Sequence, residues 1–588
     1  MIKNLLTACM AALSITTAMA EIKTINLRII QTSDVHGCFF PYDFINMTSA
    51  NGSMARVISY VDSLRGQYGG NLILLDNGDI LQGQPTSYYS NYIKTDQENI
   101  AAKVVNYMQY DAQTIGNHDM ETGHTVYDKW IKEVKCPVLA ANVISDETGK
   151  PYFKPYTIVE RSGIKVAILG MLTPAIPNWL NQNLWKGMHF EDIKQCSEKW
   201  VNYLKYNEHA DIIIGLFHSG KEGGISTPEY NENAAMDVAK NVPGFDIILF
   251  GHDHSPFGNT IKNKKGEPVL LLDPSCNAHQ VSDAQIKIVI NELSFRNQKT
   301  HMVMGKSISG ELVNIDNKPE NINYMAYFKN DIDSIKKFTD KKIGTFKQSV
   351  NSVDGFFGSS AFTDFIHNIQ LKLTGADISF NAPLSMDINI NEGDVFMNDM
   401  FKLYKFENQV YVLNMTGEEI RKHLEMSYDL WTNTMESSRD HILLLDEKTI
   451  DDKQKLGLKN FYFNFDSAAG INYTVDVSKP NGCKVTIQSM SNGKPFDENA
   501  TYKVVMNSYR GNGGGELLTK GAGIALKDIP SRIIYQSEKD LRYYIIQEIE
   551  KAGIVTPKAN NNWRFIPELW TRDAITRDKL LVFGKKNY

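Results

Sequence analysis

One pattern recurs between residues 24 and about 290 and limits what this chain can fold into. A short β-branched run ends at once in a polar or ionisable cluster. "INLRII" ends in "QTSDVHG", "NLILL" in "DNGD", "DAQTI" in "GNHDME", "DIIIGLF" in "HSG" and "FDIILF" in "GHDHS". Segments of helical character, such as "ENIAAKVVNYMQY" and "NAAMDVAKNV", lie between them. Strands alternating with helices predict an α/β domain. Clusters at the carboxyl ends of strands are where such sheets carry their sites.

At 588 residues the chain predicts more than one core. The strand-then-cluster rhythm stops near residue 290, and a polar stretch follows around residues 313–323. "YMAYFKNDIDSIKKF" then reads as a helix between domains. From about 345 the strands carry few histidines, and "GEEIRKHLEMSYDL" reads as an amphipathic helix capped by Thr416. The expected division is 21–315 for the first domain, 316–345 for a linker helix, 346–570 for an α+β second domain and 571–588 for a tail.

Residues 1–20 read as an export signal: Lys3, a short apolar run and a small-x-small site at Ala18-Met19-Ala20. A lipobox at Leu6-Thr7-Ala8-Cys9 is the weaker alternative. The protein is therefore expected in the periplasm or outside the cell, without a transmembrane anchor and as a monomer. The five cysteines beyond Cys9 are widely spaced and form no CxxC pair, so they do not predict a disulfide scaffold. A net charge of −6 leaves no basic footprint for duplex nucleic acid.

The five clusters collect Asp34, His36, Asp79, Asn117, His118, His218, His252 and His254, which include five of the 13 histidines. Imidazole, carboxylate and amide oxygen suit Zn, Mn, Co or Fe. Any one of these residues alone reads as an ordinary loop side chain. Together, in order and each behind a strand, they predict a site for two divalent metal ions.

The order D-x-H, G-D, G-N-H-[DE], H-S/T-G, G-H-x-H resembles that of the calcineurin-like metallophosphoesterases. Over residues 24–570 the chain resembles their exported branch of 5′-nucleotidases and 2′,3′-cyclic-nucleotide 2′-phosphodiesterases/3′-nucleotidases. That resemblance implies a β-sandwich flanked by helices, followed by an α+β nucleotide-binding domain. It implies Asp34, His36 and His254 as ligands of a first ion and Asn117, His218 and His252 as ligands of a second, with Asp79 shared. It implies His118 as the catalytic histidine, off the metals. Glu121 falls where 5′-nucleotidases of this family often have an Asp paired with that histidine. The implied chemistry is attack of an activated water on phosphorus.

Phe406 in "LYKFENQ" and Tyr509 in "NSYRGNGGGE" resemble the family's aromatic clamp on a nucleobase. Two departures from the 5′-nucleotidase pattern are visible. "FNAPLSMDI" lacks the Arg of the usual Asn-Gly-Gly-Gly-Ile-Arg segment, and Gly515 stands where an Asp is usual. Both favour a 2′,3′-cyclic-nucleotide 2′-phosphodiesterase/3′-nucleotidase over a 5′-nucleotidase or nucleotide-sugar hydrolase. A non-catalytic exported nucleotide-binding protein is the further alternative.

Overall fold

In the computed structural model, which describes residues 19–295, 298–450 and 455–584, the β-branched runs form two six-stranded sheets. The first runs in the order 298–314, 280–295, 19–32, 72–76, 112–114, 138–139, and the second 257–262, 268–273, 247–250, 212–218, 164–172, 156–161. Residues 28–32 pair in parallel with 72–76, and 214–217 with 247–250, so these strands finish on one edge.

The sheets face each other. Leu27, Ile29, Leu75, Ile168, Ile214, Leu216, Leu249 and Ile286 fill the space between them and are almost wholly removed from solvent. Burying each such side chain contributes about 1.5–3 kcal/mol. Both outer faces are also covered by helices: Met54–Tyr68 and Ile100–Met108 on one, Ile193–Tyr206 on the other. That explains why the central strands read as continuous apolar runs rather than alternating ones.

The stretch expected to link the domains forms two helices, Ile322–Tyr327 and Lys329–Thr339. Tyr324, Phe328, Ile332 and Ile335 pack into the first domain, while Phe338 reaches the core of the second. The second domain is built on a mixed sheet in the order 467–469, 378–381, 501–507, 409–416, 533–540. Its helix Gly417–Trp431 opens with a reciprocal cap. Thr416 Oγ1 accepts from Glu419 N–H at 3.2 Å, and Glu419 Oε2 accepts from Thr416 N–H at 2.8 Å.

The tail departs from expectation. Residues 571–583 continue the helix Glu568–Phe583, which buries Ala574, Val582 and Phe583 in the second core. Residues 1–18, with most of the expected export signal and Cys9, lie outside the described residues, while residues 19 and 20 begin the first strand. No described helix is long and apolar enough to cross a membrane. The five described cysteines are free thiols.

The domains meet along a polar seam. Tyr92 OH donates to Glu407 Oε2 at 3.2 Å, Asn181 Nδ2 to Gln536 Oε1 at 2.9 Å, and Asn512 Nδ2 to the Trp179 carbonyl at 3.1 Å. Tyr88 of the first domain is buried in the second domain's core cluster.

Candidate metal centre and substrate cleft

The shared strand edge is where the five clusters meet. Asp34, His36, Asp79, His252 and His254 all take a positive φ, between 49° and 82°. L side chains rarely adopt that region, and such strain gathers where surrounding structure holds a functional geometry. Each sharp turn throws its side chain off the strand end and back over the sheet edge.

Ligand atoms of Asp34, His36, Asp79 and His254 all lie within 4.8 Å of one another. His36 Nε2 and His254 Nε2 are 3.1 Å apart, and His254 Nε2 is 3.3 Å from Asp34 Oδ1. On the other side of Asp79, His218 Nε2 lies 3.3 Å from Asp79 Oδ2 and 3.0 Å from Asn117 Oδ1. The His252 ring is 5.3 Å from that of His218, centroid to centroid. The structure thus gathers six of the seven expected metal ligands at direct contact distance, with His252 alongside. Asp79 stands between the two groups.

Whether these residues fit a cation is decided by their unused atoms. Asp34 Oδ1 and Asp79 Oδ2 are buried and accept no hydrogen bond, although imidazole nitrogens lie near them. Buried carboxylate oxygens without a donor are costly, and a cation removes that cost. The imidazole tautomers agree. His36 Nδ1 is 3.1 Å from the Gln82 carbonyl, and His218 Nδ1 is 2.7 Å from the Asn77 carbonyl. A carbonyl only accepts, so each Nδ1 carries a proton and each Nε2 is the nitrogen turned to the centre, able to bind an ion once any proton on it is displaced. An all-oxygen-and-nitrogen donor set of this kind fits divalent metal ions.

Charge balance points the same way. Burial disfavours the imidazolium forms of His218 and His254, but Asp79 and Asp34 outweigh it and raise them to about 10 and about 11. Both carboxyls are themselves held well below the usual range despite their burial. Burial leaves His36 neutral, its value lowered to about 4. Two carboxylates that recruit protons onto neighbouring rings are a site that attracts positive charge.

His118 and Glu121 sit on the short helix Asn117–Glu121, one turn apart. His118 Nδ1 is 2.7 Å from Glu121 Oε2, and His118 N–H donates to Asp79 Oδ1 at 2.8 Å. Burial works against the charged ring, but Asp79 and Glu121 together raise it to about 9. Asp119 turns away from the centre. Its two oxygens accept from the backbone N–H groups of Asp79, Ile80, Leu81 and Gly116 at 2.8–2.9 Å, which ties the Asp79 loop to the His118 helix.

In the second domain Phe406 and Tyr509 are both half-buried, and Phe463 stands between them. Its ring is 6.4 Å from Phe406 and 6.0 Å from Tyr509, nearly perpendicular to each. Phe461 stacks on Phe463 at 5.1 Å and is 69% exposed. Arg510 locks this arrangement from behind. It is 2% exposed, donates from Nε to Asp466 Oδ2 at 2.8 Å and from Nη2 to the Phe463 carbonyl at 3.1 Å, and reaches the Gly514 carbonyl. Gly515 has a φ of +68°, and a Cβ there would meet the ends of two side chains, Asn464 Oδ1 at 2.1 Å and Arg510 Nη1 at 2.4 Å, so a larger residue requires those side chains to move.

Sequence reasoning did not single out Phe463, Arg510, Trp179 or Glu232. Arg510 adjoins Tyr509 in "NSYRGNGGGE", so its neighbourhood was a usable signal. The other three reach the cleft through long-range packing. The Trp179 ring lies 5.7 Å from that of His252, and its carbonyl receives Asn512 of the Tyr509 loop. The loop that carries Tyr509 is thereby joined to a residue packed beside His252.

Residues 27–256 match the calcineurin-like phosphoesterase family and residues 342–520 the 5′-nucleotidase C-terminal domain. A 2′,3′-cyclic-nucleotide 2′-phosphodiesterase/3′-nucleotidase of Yersinia enterocolitica is 27% identical, with 96% of this chain and 92% of that protein covered. UshA of Escherichia coli is 26% identical over 71% of this chain and 79% of its own length. A Staphylococcus aureus structure assigned as a 5′-nucleotidase shares the fold at a TM-score of 0.73, with 20% identity and 92% and 99% of the two chains covered. The chain belongs to the metallophosphoesterases that join a calcineurin-like phosphoesterase domain to a 5′-nucleotidase C-terminal domain, and it hydrolyses phosphate esters.

Proposed function

We propose that this protein is an exported nucleotide phosphoesterase that opens 2′,3′-cyclic nucleotides at the 2′ oxygen and then dephosphorylates the 3′-nucleotide. The observation that carries this reading is the contact between Asn512 and Trp179. It ties the loop that carries Tyr509 to Trp179, whose ring lies 5.7 Å from that of His252. A base held by aromatic rings is worth about 1–3 kcal/mol per stacked face, which supports a nucleotide bound between the second domain and the strand edge.

Asp34, His36 and His254 would hold one divalent ion and Asn117, His218 and His252 a second, with Asp79 shared. When bound, such ions supply Lewis acidity to the phosphoryl oxygens and lower the pKa of water. The remaining work belongs to the chain. His118, kept charged by Asp79 and Glu121, faces the leaving side. As the new bond from water oxygen to phosphorus forms and the P–O2′ bond breaks, His118 passes its proton to the departing 2′ oxygen. The same roles serve the second step, with the 3′ oxygen leaving. Phe406, Phe463 and Tyr509 orient the base and Arg510 holds the slot.

The relatives named for the cyclic and 3′ activities align over more of this chain than UshA does. The glycine at position 515, where the 5′-nucleotidase pattern has an aspartate, also supports this branch. The test is a panel of 2′,3′-cAMP, 3′-AMP, 5′-AMP and a nucleotide sugar with metal-loaded enzyme. Expected is a kcat/KM for 2′,3′-cAMP and 3′-AMP at least about tenfold above that for 5′-AMP, equivalent to about 1.4 kcal/mol. A wide lead for 5′-AMP would move the protein to the 5′-nucleotidase branch. Binding without turnover of any substrate would make it a nucleotide-binding protein.

A further inference from the structure

Glu232 lies between the "HSG" and "GHDHS" clusters and belongs to neither, yet its carboxylate reaches His252. It sits on the strand Asn231–Asn233, which pairs antiparallel with Gly223–Ser226. Its Oε1 is 3.2 Å from His252 Nε2, both side chains being close to nine-tenths buried. Its Oε2 accepts from Ile225 N–H at 2.6 Å, so the carboxylate is held at both oxygens. Its own carbonyl accepts from Ser219 Oγ at 2.8 Å and Thr173 Oγ1 at 3.1 Å, which anchors the hairpin to the loop directly after His218. The space for the carboxylate is built in: a Cβ at Gly224 would lie 2.4 Å from Glu232 Oε2.

We infer that Glu232 is a positioning residue for the second metal ion, acting through His252. A carboxylate only accepts, so the contact places the imidazole proton on Nε2. His252 Nδ1 then keeps its lone pair, and among the described residues it has no hydrogen-bond partner. This is the opposite tautomer to those of His36 and His218, whose Nδ1 atoms are committed to carbonyls. His252 needs a different orienting group because its turn leaves no carbonyl on the ring, and the hairpin supplies one from a distance. A carboxylate partner also makes the imidazole a stronger donor to a cation. The inference rests on reading His252 as a metal ligand.

The test uses the full mature protein stripped of metal and titrated with Mn²⁺ alone, with calorimetry and bound-metal analysis as readouts. Glu232→Ala is expected to weaken one of two Mn²⁺ sites by about 10–100-fold and leave the other unchanged. Glu232→Gln is expected to weaken that site less than Glu232→Ala does, because its amide oxygen still accepts from Nε2–H although the bond from Ile225 N–H is lost. Unchanged circular dichroism in both variants separates this from misfolding. Wild-type affinity at both sites in Glu232→Ala would overturn the inference, as would equal losses in the Gln and Ala variants, which would make Glu232 itself a ligand. His252→Ala is measured in parallel. If it too keeps both sites, the ligand reading of His252 fails rather than the role of Glu232 alone.

Discussion

Replacing His118 with alanine is expected to lower kcat by about 10²–10⁴-fold, the usual contribution of a positioned proton donor, with KM little changed. The side chain stands at the centre but not within its ligand set. It is tied to Glu121 through Nδ1, and its backbone is tied to Asp79. A proton donor works only while protonated, so activity falls as pH rises through the pKa of the ring. That value is about 9 in the metal-free protein, and cations beside the ring lower it. The alkaline limb of the kcat profile is therefore expected at or below pH 9 and should disappear in His118→Ala. Glu121→Gln is expected to cost less, because Asp79 still favours the charged ring, and to shift the limb to lower pH. Equal losses in the two variants would make the pair an obligate dyad. No change on Glu121→Gln would make that residue a bystander.

Asp79→Asn is expected to lower kcat/KM by about 10³-fold or more, the scale of removing a main electrostatic element from a transition state. Asp79 Oδ2 lies within reach of a histidine of each group, 4.0 Å from His36 Nε2 and 3.3 Å from His218 Nε2. Asparagine keeps the shape but removes the charge that offsets two dications. It also alters the acceptor for His118 N–H, so the damage reaches the proton donor. Bound metal, measured after dialysis, should fall from two ions per chain to one or fewer. Full metal content with intact turnover would show that Asp79 is not shared.

The strand-then-cluster rhythm made the first domain and the residues gathered at its strand edge legible for a physical reason. A strand buried on both faces has to be apolar along its length, so the first polar residues after it mark the sheet edge. The cap at Thr416 was legible because capping is local. Glu232 was not, because its place depends on a hairpin folding back onto the His218 loop, and its neighbours in "TPEYNEN" read as ordinary turn residues. Phe406 and Tyr509 were readable only through family resemblance. Their relation to Phe463 and Trp179 comes from packing across the second domain and the seam. The tail helix was missed because "LLVF" is a short apolar run beside a basic end, too brief to show a helical period, and Ala574 is the only other buried apolar residue that the helix adds to that core.

The central claim is that hydrolysis needs two cations held by this one strand edge. It is tested most directly by titrating metal-stripped wild-type protein with Mn²⁺ while phosphate release from 3′-AMP is followed. The expected result is negligible turnover without metal and a rise that levels off at two equivalents per chain. Turnover that persists in excess chelator, or that reaches its plateau at one equivalent, would contradict it.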